Sequence, residues 1–320
     1  MSPDVPGHRR PGESGHCRPE KGGAPVPGRR LPSRRVSAAG WTFVVPFLAA
    51  FTFAFLAPVL YSLYLSLFRN QLMGGNRFVG LDNYSAALTD PKFWDGAGRV
   101  LLFLVVQVPI MLAVALAAAL VIDSGRLFGK RFTRIALFVP YAVPGVVAVL
   151  MWGFLYGDRI GLVGWINDAV GSDLLAPFSR PWLLVSIGNI VTWEFVGYNM
   201  LILYSALRTV PGELYEAAAI DGAGQWRVIT AVKLPALRGA LVIATIFSII
   251  GSFQLFNEPN ILKVLAPTLI SSSYTPNMYA YNLSFLGQQV NYAAAVAIIM
   301  GVLTAVIAYV VQLRGTRREG

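Results

Sequence analysis

Cysteine, histidine and charge are scarce in this sequence. Its 320 residues include one cysteine, Cys17, and two histidines, His8 and His16, all close to the N-terminus. A lone cysteine excludes a disulfide within the chain. The rest of the chain lacks the side chains for a Cys/His nucleophile pair or a His/Cys metal site, so neither catalytic residues nor a metal are expected. A GxxxxGK(S/T) phosphate loop is also missing, and without it the chain cannot hydrolyse ATP by itself. Charged residues make up only 13% of the chain, where soluble domains carry roughly 25%.

What is present is apolar. Hydrophobic residues make up 55% and the mean hydropathy is +0.58. Measured against about 20 apolar residues per crossing, six spans are predicted at roughly 41–68, 100–122, 134–156, 182–207, 236–256 and 292–313. Pro46, Pro58, Pro109, Pro140 and Pro144 lie within them and are expected to kink their helices. An extra re-entrant or interfacial helix in 260–290 remains open. The formal net charge is +10, but the basic residues cluster beside apolar spans as topology signals do, which argues against nucleic acid as a partner. Residues 1–39, rich in Pro, Gly, Ser and Arg, read as a disordered basic tail, and 40–320 as the membrane domain. Arg126, Lys130, Arg131 and Arg134 follow the second span, Arg208, Arg227, Lys233 and Arg238 the fourth, and Arg314, Arg317 and Arg318 the last. Both termini and the 208–235 connection are therefore expected in the cytoplasm, in a multi-pass protein of the cell membrane.

That connection contains Glu216–Pro235, EAAAIDGAGQWRVITAVKLP, a polar island between apolar spans. Pro211 suits the first position of a helix, and Glu213 and Glu216 suit its positive end. Leu214, Ala217 and Ala218 fall on one small-residue face. Gly222 can take the left-handed conformation that closes the helix, with Asp221 favouring the turn. A second helix, about Gln225 to Lys233, would present Trp226, Ile229 and Val232 before Leu234-Pro235 breaks the pattern. The stretch is either a docking hairpin or a loop lying on lipid. The absence of a bulky apolar face favours a protein partner.

Glu216-Ala217-Ala218, then Gly222, then Val232-Lys233-Leu234-Pro235 closely resembles the EAA motif of permease subunits in binding-protein-dependent ABC importers, with Val232 where Ile is usual. Phe78-Val79-Gly80-Leu81-Asp82-Asn83-Tyr84, Asp90-Pro91-Lys92-Phe93-Trp94 and Phe253-Gln254-Leu255-Phe256-Asn257-Glu258-Pro259 are similar to segments of its carbohydrate branch, the maltose and glycerol-phosphate type. The resemblance implies an all-α integral membrane protein with six transmembrane helices and a cytoplasmic coupling-helix hairpin. Glu216, Ala217, Ala218, Asp221 and Gly222 would dock on an ATPase subunit, and Pro235 would end the element. It further implies a second, homologous permease subunit, two cytoplasmic ATPase subunits holding ATP and Mg, and an extracellular or periplasmic sugar-binding protein. The chain itself would be a non-catalytic subunit without a bound cofactor.

Glu194 is the only ionisable residue near the middle of a span, and such residues usually face a bundle interior or a water-filled cavity. Tyr198 lies one turn on. Ser248 and Ser252 repeat that spacing in the fifth span, with Gly251 opening room beside them. The set is expected to line a sugar pathway. Interhelical hydrogen bonding by the serines and a buried structural role for Glu194 are the plainer readings. Asn189, Asn199 and Gln254 are weaker candidates. A proton-coupled secondary transporter using Glu194 is the alternative function. A di- or oligosaccharide is preferred over glycerol-phosphate, because no basic partner for a phosphate accompanies Glu194.

Overall fold

A computed structural model describes residues 33–71, 75–125 and 127–316. The basic segment 1–32, with Cys17 and both histidines, lies outside the described residues, as do Arg126, Arg317 and Arg318. The chain divides into two compact units, 1–55 and 56–320.

The first unit contains helix α1 (Ser33–Phe51), so residues 33–39, assigned to the disordered tail by composition, are helical. Their run is free of Gly and Pro, which lets the helix start before the apolar stretch. Phe47, Phe51 and Phe55 follow at i, i+4 spacing and stack at 6.1 and 5.1 Å. A π turn, Thr52–Leu56, precedes α2 (Ala57–Ser66). Gly40–Ser66 has the length and hydropathy of a crossing.

In the second unit α2 leads to a hairpin, β1 (Phe68–Gln71) with β2 (Gly75–Phe78), antiparallel. This is a small departure from an all-α chain. Two helices follow, α3 (Asp82–Thr89) and α4 (Pro91–Asp123). The second predicted span starts earlier than about residue 100 because Asp90 caps α4, accepting from the Lys92 N–H at 2.9 Å, with Pro91 at the first helical position.

The third predicted span is two helices, α5 (Lys130–Ala142) and α6 (Gly145–Leu155), which meet at 98°. Pro140 and Pro144 remove two amide donors, and the residue before a proline avoids the helical region. Val143 and Pro144 accordingly adopt ψ 131 and 129. Pro144 thus breaks the helix outright, beyond the kink expected of it, while Pro140 stays inside the last turn of α5. Among the described residues five helical runs are long and apolar enough to cross a membrane, or six if the bent pair is one span.

The remaining elements are α7 (Leu162–Val170), α8 (Leu183–Leu207), α9 (Gly212–Ile220), α10 (Gln225–Val228), a π turn (Ile229–Lys233), α11 (Leu234–Ala236), α12 (Arg238–Phe253), α13 (Asn257–Leu262), α14 (Pro276–Phe285) and α15 (Val290–Thr316). Helices α13 and α14 occupy the region left open at 260–290. The fifth crossing runs on through α13 to Leu262, past its predicted end. Both π turns stop two residues before a proline, Pro58 and Pro235. Proline cannot donate to the carbonyl four residues back, and the wider turn accommodates the mismatch.

Helix α4 packs along α8, and α5 crosses α8. The second crossing is close because position 197 is glycine: a Cβ there would stand 1.9 Å from the Leu137 carbonyl oxygen. Three apolar clusters fill the unit. One, with Ile187, Ile190, Leu262 and Ile270, joins the start of α8 to α13. Another, with Phe93, Val100, Phe253 and Val296, joins α4, α12 and α15. The third, with Ala119, Ile122, Leu203 and Leu237, lies where α4 and α8 end.

Candidate functional site: an exposed hairpin and an intramembrane cavity

The hairpin begins at α9, where Pro211 stands one residue earlier than expected, as the N-cap with ψ 137. Its C-terminus is closed by Gly222 at φ +67. The Ala223 N–H donates to the Ala218 carbonyl at 2.9 Å and the Gly222 N–H to Ala219 at 3.1 Å. This is the paired-bond closure of a glycine-terminated helix. Glu216, Ala217, Asp221 and Gly222 are exposed and Ala218 is half-buried. No residue of α9 is buried. Ile220 and Trp226 stand out at 87% and 76% exposure, an apolar pair at the tip of which only Trp226 was expected to be presented.

Past the tip the chain stays helical through Pro235, which therefore does not end the element. The Leu234 N–H reaches back to the Ile229 carbonyl, and Pro235 lies inside a helical path broken only at Leu237. Lys233 turns inward, 8% exposed, and its ammonium contacts the Asp123 carboxylate at 2.5 Å. The same ammonium lies 5.7 Å from the centroid of the Tyr215 ring. One cation thus ties α9 and the π turn to the last residue of α4. Sequence reading counted Lys233 as a topology charge and passed over Asp123. The only available signal was an acid at a helix C-terminus, where the dipole opposes it.

The cavity, about 350 Å³, lies between α4, α8, α12 and the break after α5. Tyr198, Ser248, Gly251 and Ser252 line it together with Tyr141 and Glu258. Tyr141 stacks on Tyr198 at 4.8 Å and meets Phe195 edge-on at 5.8 Å. This gives the cavity an aromatic wall alongside the serines. Ser252 Oγ donates to the Ser248 carbonyl at 2.8 Å, leaving its lone pairs free to accept. A Cβ on Gly251 would meet open space.

Glu194 is not on that wall. The lining positions of α8 are 191, 195, 198 and 199, and Glu194 flanks the edge of that stripe, about 40° from Tyr198 around the helix. Its side chain is buried against the broken span, where a Cβ on Gly145 would lie 3.2 Å from Oε1. Glu194 thereby lies against the first turn of α6, the positive end of that helix. Its Oε2 has no hydrogen-bond partner among the described residues, and neither does Asn199 Oδ1. Of the weaker candidates, Asn199 and Gln254 line the cavity and Asn189 does not, donating instead to Tyr156 Oη at 2.9 Å. Sequence reading missed Tyr141, which only the break brings to the wall. It also missed Gln107, a lining amide that donates to Thr192 Oγ1 at 3.3 Å and stands out in its apolar run.

Residues 84–318 match the model of a family described as binding-protein-dependent transport system inner membrane component. The lactose transport system permease protein LacF of Rhizobium radiobacter is 32% identical over 280 residues, 84% of this chain and 91% of its own length. The trehalose transport system permease protein SugA of Mycobacterium tuberculosis is 30% identical over 299 residues, 92% of this chain and 93% of its own. A chain from the crystal structure of a bacterial ABC transporter that imports the acidic polysaccharide alginate superposes with a TM-score of 0.76 at 16% identity, covering 89% of this chain and 97% of that one. That likeness speaks for the fold.

Proposed function

The chain belongs to the inner membrane components of binding-protein-dependent transport systems, and from that premise we propose that it forms half of the pathway of an ATP-driven importer for a neutral di- or oligosaccharide. The observation that carries the cargo class is the cavity: tyrosine, serine and amide groups beside Glu258, with no Lys or Arg on the wall. Such a surface offers stacking and hydrogen bonds to sugar hydroxyls and nothing to pair with a phosphate or carboxylate. Relatives that carry lactose and trehalose by name support it. Tyr198, Ser248, Gly251 and Ser252 would touch the sugar, with Glu194 holding the broken span behind them. The family assignment gives the proton-coupled alternative no support.

The hairpin would dock on a cytoplasmic ATPase subunit. Its support is exposure: a well-formed helix with Glu216, Ala217, Asp221 and Gly222 open and two large apolar groups bare at the tip. Movement of that subunit on binding ATP would push α9 and, through the Lys233–Asp123 contact, the end of α4. A second permease chain completes the pathway, a sugar-binding protein delivers the cargo, and both termini stay in the cytoplasm. The test is uptake of labelled disaccharides by cells carrying the full transporter. Glu216→Lys is expected to abolish uptake while the chain remains in the membrane. Tyr198→Ala and Ser252→Val are expected to raise the half-saturating sugar concentration. Uptake unchanged by Glu216→Lys would overturn the docking assignment, and unchanged by the other two, the cavity assignment.

A further inference from the structure

Two further cavities open toward the opposite end of the unit, and the inner one meets the sugar cavity at Phe103 and Gln107, which line both. Helix α4 ends at Asp123 on the hairpin anchor and α8 runs directly into α9, so the starts of both helices mark the far end. There a polar cleft of about 550 Å³ is lined by Arg99, Arg180, Thr268, Ser271 and Tyr274. An apolar groove of about 430 Å³ runs on between α4 and α8, lined by Leu102, Val106, Ile110, Leu184 and Val185. Cleft and groove share Leu102, Pro181 and Leu184 and are therefore continuous.

Arg99 is held in place: Nη1 donates to the Tyr274 carbonyl at 3.3 Å, and the guanidinium lies 5.1 Å from the centroid of the same ring. Neither arginine forms an ion pair among the described residues, where the one salt bridge is Lys233–Asp123. Two guanidiniums without a carboxylate make a site for a multivalent oxyanion, and their forked donors match phosphate. The groove below them is mainly apolar over Leu102 to Ile110, about 12 Å of helix at 1.5 Å per residue, with Gln107, Asn189 and Thr192 as its polar groups at the inner end. A soluble anion would leave that groove empty. Trp182, 54% exposed beside Arg180 and Pro181, is the kind of residue that sits at headgroup depth.

We propose that cleft and groove together bind one anionic phospholipid from the leaflet at that end, its phosphate on Arg99 and Arg180 and an acyl chain along α4 and α8. The proposal is independent of the cargo and of which side of the membrane the hairpin faces. Such a lipid would brace the crossing of α4 and α8, the two helices that also wall the sugar cavity.

The test uses the full-length chain in its assembled transporter, placed in phosphatidylcholine nanodiscs doped with a phosphatidylglycerol probe bearing a photoreactive acyl chain. Adducts are expected in peptides covering 102–110 and 184–192. The probe concentration giving half-maximal labelling is expected to rise about tenfold or more in Arg99→Gln/Arg180→Gln, as the loss of two surface cations implies. Val185→Trp should reduce labelling with both arginines intact. Arg159→Gln should leave it unchanged, and probe labelling of α15 reports that each variant is folded. Equal labelling by a phosphatidylcholine probe, or indifference to the double arginine variant, would overturn the proposal. So would displacement of the probe by inorganic phosphate, which indicates a free-anion site, or a crosslink to another protein chain in place of lipid.

Discussion

Two aspartates bracket α4, Asp90 just before its first residue and Asp123 as its last, and the structure treats them oppositely. Asp90 faces the positive end of the helix and its hydrogen bonds all come from neutral donors, the Lys92 N–H, the Tyr279 hydroxyl at 2.5 Å and the Tyr292 hydroxyl at 3.1 Å, with the Lys92 charge a smaller support. Asp123 faces the negative end, where the dipole works against it, and it is held by a full positive charge on Lys233. The tyrosines come from α14 and α15, so the Asp90 knot fastens elements at the far end to one another. The lysine follows the exposed hairpin, so the Asp123 contact fastens the helices to the segment proposed to receive force from outside. Where the dipole helps, hydroxyls suffice. Where it opposes, the acid must recruit a cation, and that cation links the hairpin to the helices.

The sharpest way to break this comparison is Lys233→Met. It leaves Asp123 largely buried and uncompensated at the wrong end of a helix, and should cost roughly 3 kcal/mol or more. Thermal unfolding of the purified chain in detergent measures it. Asp123→Asn/Lys233→Met should recover most of the loss, and a single variant as stable as the parent would show that the contact ties nothing. Next in size is Asp90→Ala, expected to cost about 1–2 kcal/mol through the lost cap and the orphaned hydroxyls. Asp90→Asn should cost less because one acceptor oxygen remains. A loss larger than that of Lys233→Met would invert the ranking of the two ends.

The smallest effect is a pH dependence. Burial of Asp90 opposes its ionisation, but hydrogen bonds from Tyr279, the Lys92 N–H and Tyr292, together with the Lys92 charge, outweigh it and hold the carboxyl below its usual value. A depressed folded-state pKa means that the stabilisation is complete above the ordinary aspartate range and is lost as pH falls through the lowered value. Acid unfolding curves of the parent and Asp90→Asn should therefore converge at low pH and separate as pH rises. Parallel curves would remove the charge on Asp90 from the account.

How much of this was legible in the residues depends on distance along the chain. Gly222 could be read as a left-handed closure because the helix it ends is its immediate neighbour. The crossings at α8 and α15 could be read because about twenty apolar residues suffice to cross, whatever surrounds them. Pro140 and Pro144 announced a disturbance of the third span. Its size, a 98° turn, was decided by Val143 leaving the helical region and by the room that Gly145 leaves against Glu194. The surroundings of Glu194, packed against Gly145 at the break, were not legible. Alignment with Tyr198 is a property of one helix, whereas the cavity wall is set by where α4, α5 and α12 approach it.

The order of apolar and polar stretches was enough by itself to determine a multi-span helical membrane chain with a structured polar hairpin between two of its crossings. Burial in lipid and backbone hydrogen bonding within a helix are both local requirements, so composition over a few turns settles them. Only the tertiary structure decided which polar groups meet. Lys233 pairs with an acid 110 positions away, and Tyr292 reaches Asp90 across 202. Those choices follow from which helix faces come into contact, and a close approach such as that of Gly197 to Leu137 is fixed by packing in three dimensions.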